Sequence, residues 1–115
     1  MPITGKTQRL GLIGMPISHS FSPAMHNAAS AALDIDFVYV PLPVLPGEVG
    51  TALKGLVALS WAGVNVTIPH KLDVMAHLDH VADSAEAIGA VNTIDFRADG
   101  PVSYTHLTLP TIYSV

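Results

Sequence analysis

Cysteine is absent from the chain. That excludes a disulfide framework and thiolate zinc sites, and it fits a reducing compartment. Charge is scarce. Only 12% of the 115 residues are charged, and five Lys+Arg against nine Asp+Glu leave a net charge of -4. Such a chain has no basic face with which to neutralise phosphates, so no nucleic-acid partner is expected. No apolar run approaches the roughly 18–20 residues of a membrane span, so no membrane partner is expected either. The N-terminus has basic residues but no long apolar segment ending in a cleavage site, which makes it a poor signal peptide. What is present is apolar: half the residues are hydrophobic and the mean hydropathy is +0.46, which argues against disorder. The length suits one domain, since domains typically run to about 100–150 residues. The expectation is a small, soluble, cytoplasmic globular domain.

Short strand-like runs alternate with longer helix-like ones, the pattern of an α/β sheet rather than an all-α or all-β domain. Residues 9–14 (RLGLIG) read as a first strand closed by glycine. After a turn-rich stretch, Ser22-Pro23 reads as a helix start, serine as N-cap and proline at the first helical position. The Ala-rich run to Leu33 continues that helix. Residues 37–40 read as a second strand, ended by Pro41-Leu42-Pro43. Pro46-Gly47-Glu48 opens a second helix reaching about Ala58, with an early acid suited to the positive end of its dipole. The β-branched residues of 64–68 predict a third strand, stopped by Pro69. A helix is expected from about His70-Lys71 through Leu72, Met75, Ala76 and Leu78, and a further one over 81–88. Residues 91–96 read as a fourth strand, turning at Ala98-Asp99-Gly100. The predicted fold is a mostly parallel sheet with helices on both faces. Residues 102–115 carry no Asp, Glu, Lys or Arg; they are either one more strand with a loose end or foreign sequence.

Three clusters carry chemistry. Ser20 and Ser22 lie two apart ahead of a helix N-terminus, where free N–H groups and the dipole favour an anion such as a carboxylate, and hydroxyls add neutral donors. The alternative is that Ser22 only caps the helix and Ser20 only solvates the turn. Asn65 and Thr67, two apart on a strand, face one side near its carboxyl end, where open α/β sheets bind ligands. Lys71 is expected in the first turn of a helix, where the dipole and partial burial would lower its pKa toward the range useful for proton transfer. A solvated surface lysine is the alternative. Asn92 offers an amide to a ligand hydroxyl, or is an ordinary turn asparagine entering a strand.

Other chemistries lack their signatures. The six histidines form no His-Glu-x-x-His, and no carboxylate completes a tight set, so no metal site is expected. There is no Gly-x-Ser-x-Gly elbow, and His19 beside two serines has no evident orienting acid. Gly11 and Gly14 fall short of a dinucleotide fingerprint, and there is no phosphate-binding P-loop.

Together, Gly14-Met15-Pro16-Ile17-Ser18-His19-Ser20-Phe21-Ser22-Pro23-Ala24-Met25-His26, then Asn65-Val66-Thr67-Ile68-Pro69-His70-Lys71, then Gly89-Ala90-Val91-Asn92-Thr93 resemble the N-terminal, substrate-binding domain of the shikimate/quinate dehydrogenase family. The likeness spans residues 9–100, with residues 1–100 taken as the domain. It implies that Ser20 and Ser22 bind the substrate carboxylate with Thr67 nearby, that Asn65 and Asn92 hold ring hydroxyls, and that Lys71 is the catalytic lysine. The implied reaction is reversible reduction of 3-dehydroshikimate to shikimate with NADPH, on the route to aromatic amino acids.

There are departures from the family pattern. Its Asn-Thr-Asp segment, which supplies the lysine's aspartate partner, is replaced by Pro101 and the uncharged tail, and neither Asp95 nor Asp99 stands in that motif. The C-terminal NADP-binding Rossmann domain and a late substrate-closing glutamine are missing, so no cofactor-binding residue is assigned. Residues 101–115 are expected to be a translated sequencing adapter and the chain a gene fragment, inactive alone. The competing expectations are a non-catalytic binding module for a shikimate-like hydroxy acid, and a relative using quinate or NAD. Oligomeric state stays open.

Overall fold

Residues 8–14 alternate side chains between two faces of a strand, and that alternation divides the molecule. The computed structural model describes residues 2–78, 81, 83, 89, 91–96 and 103–105. Strand β1 (Gln8–Gly14), helix α1 (Ser22–Leu33), β2 (Phe37–Pro43), helix α2 (Val49–Ala58), β3 (Gly63–Val66), a 3-10 helix (Asp73–His77), β4 (Thr93–Phe96) and β5 (Ser103–Thr105) follow in order. The sheet order is β2-β1-β3-β4-β5. β1 pairs parallel with β2 and β3, while β4 and β5 add antiparallel to that side. The α/β reading holds, and the parallel half is the part formed by the first three strands. Among the described residues no helix is long and apolar enough to cross a membrane.

The principal core lies on the Ile13 face. Val49, Leu53 and Leu56 of α2 pack there against Ile13, Val64, Val66 and Ile94. Their spacing of four and three is one stripe of a helix, and burying each contributes about 1.5–3 kcal/mol. The opposite face carries a smaller cluster of Leu12, Ile17 and Tyr39.

α1 docks by polar groups instead. Its buried residues are Ser22 and Ser30, while Met25 and Leu33 are exposed. Asn27 Nδ2 donates to the Tyr39 carbonyl at 2.8 Å, and the Tyr39 N–H donates to Asn27 Oδ1 at 2.9 Å. The Ser30 hydroxyl lies 2.6 Å from the Ile35 carbonyl and 3.0 Å from that of Phe37. The helix ends at Asp34 in the left-handed region, φ 55°, a conformation aspartate tolerates better than most residues.

Four local expectations are revised. β2 does not stop at Val40 but runs through both prolines to Pro43. Tyr39 turns its N–H and carbonyl away from β1, so by alternation Pro41 and Pro43 do the same, and their missing N–H costs no ladder bond. Ser22 is the first helical residue, not the cap; Phe21 is the N-cap and makes no side-chain cap bond. β3 is confined to Gly63–Val66, although the Thr67 N–H still reaches the Ile13 carbonyl. No α-helix begins at His70-Lys71: a turn leads to the 3-10 helix, with Val74 fully buried. The helix expected over 81–88 and the turn at 98–100 lie outside the described residues, apart from Val81 and Asp83. Of the tail, Ser103–Thr105 pairs with Phe96, Asp95 and Ile94.

Candidate functional site

The carboxyl ends of β1 and β3 gather the polar residues. Gly14 closes β1 because no side chain fits: a Cβ there would run into Thr67 Cγ2 and Ile17 Cγ2. That contact puts Thr67 on the same face as Leu12 and, two residues earlier, Asn65. After the turn, the Ser20 N–H bonds to the Ile17 carbonyl, and the Ser22 N–H bonds to Ser20 Oγ at 3.2 Å. Ser20 therefore accepts from the first helical N–H. Among the described residues Ser22 Oγ meets no hydrogen-bond partner of good geometry, although the residue is only 1% exposed. The Tyr39 phenol lies close enough to feel that hydroxyl without meeting hydrogen-bond geometry.

A polar network crosses three strands on this face. The Tyr39 hydroxyl donates to Asn65 Oδ1 at 2.8 Å. Asn65 Nδ2 donates to Thr93 Oγ1 at 3.1 Å and lies 3.4 Å from the Asn92 carbonyl. Thr93 Oγ1 in turn donates to Asn92 Oδ1 at 3.1 Å. Burial pushes the Tyr39 phenol above its ordinary pKa, the Ser22 hydroxyl pulling the other way, so the phenol keeps its proton and acts as a donor. His26 stacks on the Tyr39 ring with centroids 4.3 Å apart, and burial lowers its pKa.

The turn after β3 is held from behind. His70, 1% exposed, sits with Nε2 2.6 Å from the Val44 carbonyl; a carbonyl only accepts, so Nε2 carries the proton. The His70 N–H bonds to the Thr67 carbonyl, and the Lys71 carbonyl accepts from the Val91 N–H at 3.0 Å. Lys71 is thereby moored beside the segment that carries Asn92. Its pKa is lowered by burial, not by a helix dipole, because the 3-10 helix begins two residues later.

The six residues singled out from the sequence thus fall into two linked groups. Ser20 and Ser22 lie at the start of α1; Asn65, Thr67, Lys71 and Asn92 lie at β3 and the segments bonded to it. Sequence reading missed Tyr39, Thr93, Asn27 and His70. A spacing of four that puts Ser22, His26 and Ser30 on one side of an Ala-rich helix was the available signal for a polar docking face. A cavity of about 430 Å³ on the same face is lined by Leu10, His26, Tyr39, Gly63, Asn65 and Thr93 among others. It adjoins the network but does not include Ser20, Ser22, Thr67, Lys71 or Asn92. Among the described residues no three His, Asp or Glu side chains gather to hold a metal ion.

A polar cluster at the carboxyl ends of parallel strands defines the class: an α/β domain with its polar groups where open sheets of this kind hold ligands. Residues 12–94 match the shikimate dehydrogenase substrate binding domain, and the chain belongs to that oxidoreductase family. It is 55% identical over 94 residues to the NADP(+) shikimate dehydrogenase of Citrifermentans bemidjiense, covering 82% of this chain and 32% of that protein. It is similar to the shikimate 5-dehydrogenase of Listeria monocytogenes solved with shikimate and NAD (TM-score 0.87, 40% identity, 94% of this chain and 37% of that one). It is also similar to the quinate dehydrogenase of Corynebacterium glutamicum solved with NAD (TM-score 0.80, 36% identity, 89% and 38%). The chain spans about a third of the length of the curated relatives it matches. NADP(+) is the cofactor named for those relatives, of which this domain is the substrate-binding part. The space beside Gly11 is filled by the Val40 carbonyl, Leu42 and Trp61, so this glycine serves close packing and leaves no room there for a dinucleotide phosphate.

Proposed function

We propose that this domain binds shikimate and 3-dehydroshikimate for an NADP-linked dehydrogenase. Ser20 and Ser22 take the carboxylate with Thr67 nearby, Asn65 and Asn92 hold ring hydroxyls, and Lys71 exchanges a proton at the hydroxyl being oxidised. The observation that carries this reading is the Ser22 hydroxyl, buried and without a well-formed hydrogen bond to any of the described residues. A buried hydroxyl left unpaired is costly, and a carboxylate oxygen at the start of α1 would satisfy it where the backbone N–H groups also favour an anion. The lowered pKa of Lys71 supports its role, because more of the amine is neutral at a given pH and able to accept a proton.

Calorimetric titration of the 115-residue chain tests this. Shikimate is expected to bind more tightly than quinate, and Ser20→Ala/Ser22→Ala should weaken it at least about tenfold, the loss of hydrogen bonds to a charged group. Unchanged binding in the double variant would sink the carboxylate site; tighter binding of quinate would shift the substrate. We further propose that residues 101–115 are foreign to the domain and that this chain alone does not turn over shikimate with NADP(+). Turnover above that of Lys71→Ala contradicts the latter.

A further inference from the structure

The hydrogen bonds on the site face run in one direction. Each donor along Tyr39, Asn65, Thr93 and Asn92 passes to the acceptor of the next. An asparagine amide has two nearly isosteric orientations, and what decides between them is the network it joins. The Asn92 carbonyl, which can only accept, faces Asn65 Nδ2, and the Tyr39 phenol, which can donate or accept, spends its one proton on Oδ1 at 2.8 Å. Tyr39 is 3% exposed, and the His26 stack restrains its ring.

We infer that Tyr39 is a positioning residue that sets the polarity of the site. By donating to Asn65 Oδ1 it holds the amide, together with the accept-only Asn92 carbonyl, in the orientation whose Nδ2 is spent on Thr93 and that carbonyl. What Asn65 then offers a ligand is the remaining lone pair of Oδ1, an acceptor. The ring position that meets Asn65 must present an O–H donor; a ketone, ether or fluorine there would set lone pair against lone pair. Tyr39 thus makes the site selective at that position without touching the ligand. This rests on the proposed binding of a polyhydroxylated ring acid, but the orientation of the amide does not.

Tyr39→Phe removes one oxygen and keeps the ring and its stack. In the ¹⁵N-labelled chain without ligand, the Asn65 side-chain amide signals are expected to shift and broaden in Tyr39→Phe. With ligand, the wild-type chain should prefer shikimate over one monodeoxy analogue by about tenfold, the value of a hydrogen bond. Tyr39→Phe should lose that preference, and Tyr39→Phe/Asn65→Ala should bind no more weakly than Asn65→Ala alone. A merely structural role for the phenol would lower the melting temperature and leave the preference intact. Unchanged Asn65 signals, or unchanged selectivity, overturn the inference. If the wild-type chain binds no shikimate, the substrate reading falls while the amide signals still decide the polarity. Should Tyr39→Phe not fold, Thr93→Val breaks the same chain one link on and must also move the Asn65 signals.

Discussion

At the scale of single residues, the decisive groups are those whose burial conflicts with their chemistry. Ser22 buries a hydroxyl that no described residue pairs with good geometry, so Ser22→Ala should hold or raise the stability of the ligand-free chain, by up to about 1 kcal/mol, while weakening the proposed shikimate binding. Urea unfolding checks the first part; a loss above about 1 kcal/mol means the hydroxyl has a structural partner. Lys71 favours its neutral form on folding. Between its lowered pKa and the ordinary 10.5 the folded chain binds fewer protons than the unfolded one, so this group's contribution to stability rises with pH across that window. A ¹⁵N titration of the Lys71 amine should find a midpoint below 10.5; one at or above that value removes the argument. Both residues were legible in the sequence as members of motifs, but their environments were not. Ser22 looked like a cap because serine before proline usually is one. The origin of the lysine shift was misplaced because a helix was expected where a turn stands.

Among the secondary-structure elements, α1 departs furthest from sequence rules. Amphipathic periodicity identifies helices that bury an apolar stripe, and this one buries Ser22 and Ser30 with Asn27 bonded to a strand. Its existence was legible from the alanines and the proline start, but its mode of docking was not, since polar helix residues ordinarily face water. Asn27→Ala should cost about 2–3 kcal/mol, because it deletes two hydrogen bonds and leaves the Tyr39 N–H and carbonyl unpaired. Hydrogen exchange at the Tyr39 amide should accelerate in parallel. Normal protection at that amide would mean that another group takes Asn27's place. The prolines of β2 teach the same lesson from the other side: they read as a stop, yet a strand tolerates them where its N–H groups already point away from their neighbour.

For the molecule as a whole, the two faces of the sheet are unequal. Among the described residues the α2 face holds ten buried hydrophobic residues, the other three, so stability is concentrated on the first while the second is given to polar groups and a cavity. Leu53→Ala, on the packed face, should therefore destabilise the chain by about 2–5 kcal/mol without changing the Asn65 side-chain signals. If those signals moved as well, the faces would be mechanically coupled. The short apolar run of β1 marked a buried strand in the sequence, but not which of its faces would hold the larger core. The antiparallel addition of β4 and β5 was not legible either, because strand direction depends on connections that composition does not reveal.

The mooring of α1 along β2 has a further consequence. An outer strand of a sheet normally presents a row of donors and acceptors that can template a strand from another molecule. Here the Asn27 amide occupies one such pair as a neighbouring backbone would, and Pro41 and Pro43 contribute no donor at the next two outward positions. The border of the sheet along which α1 lies is thereby protected against edge-to-edge aggregation.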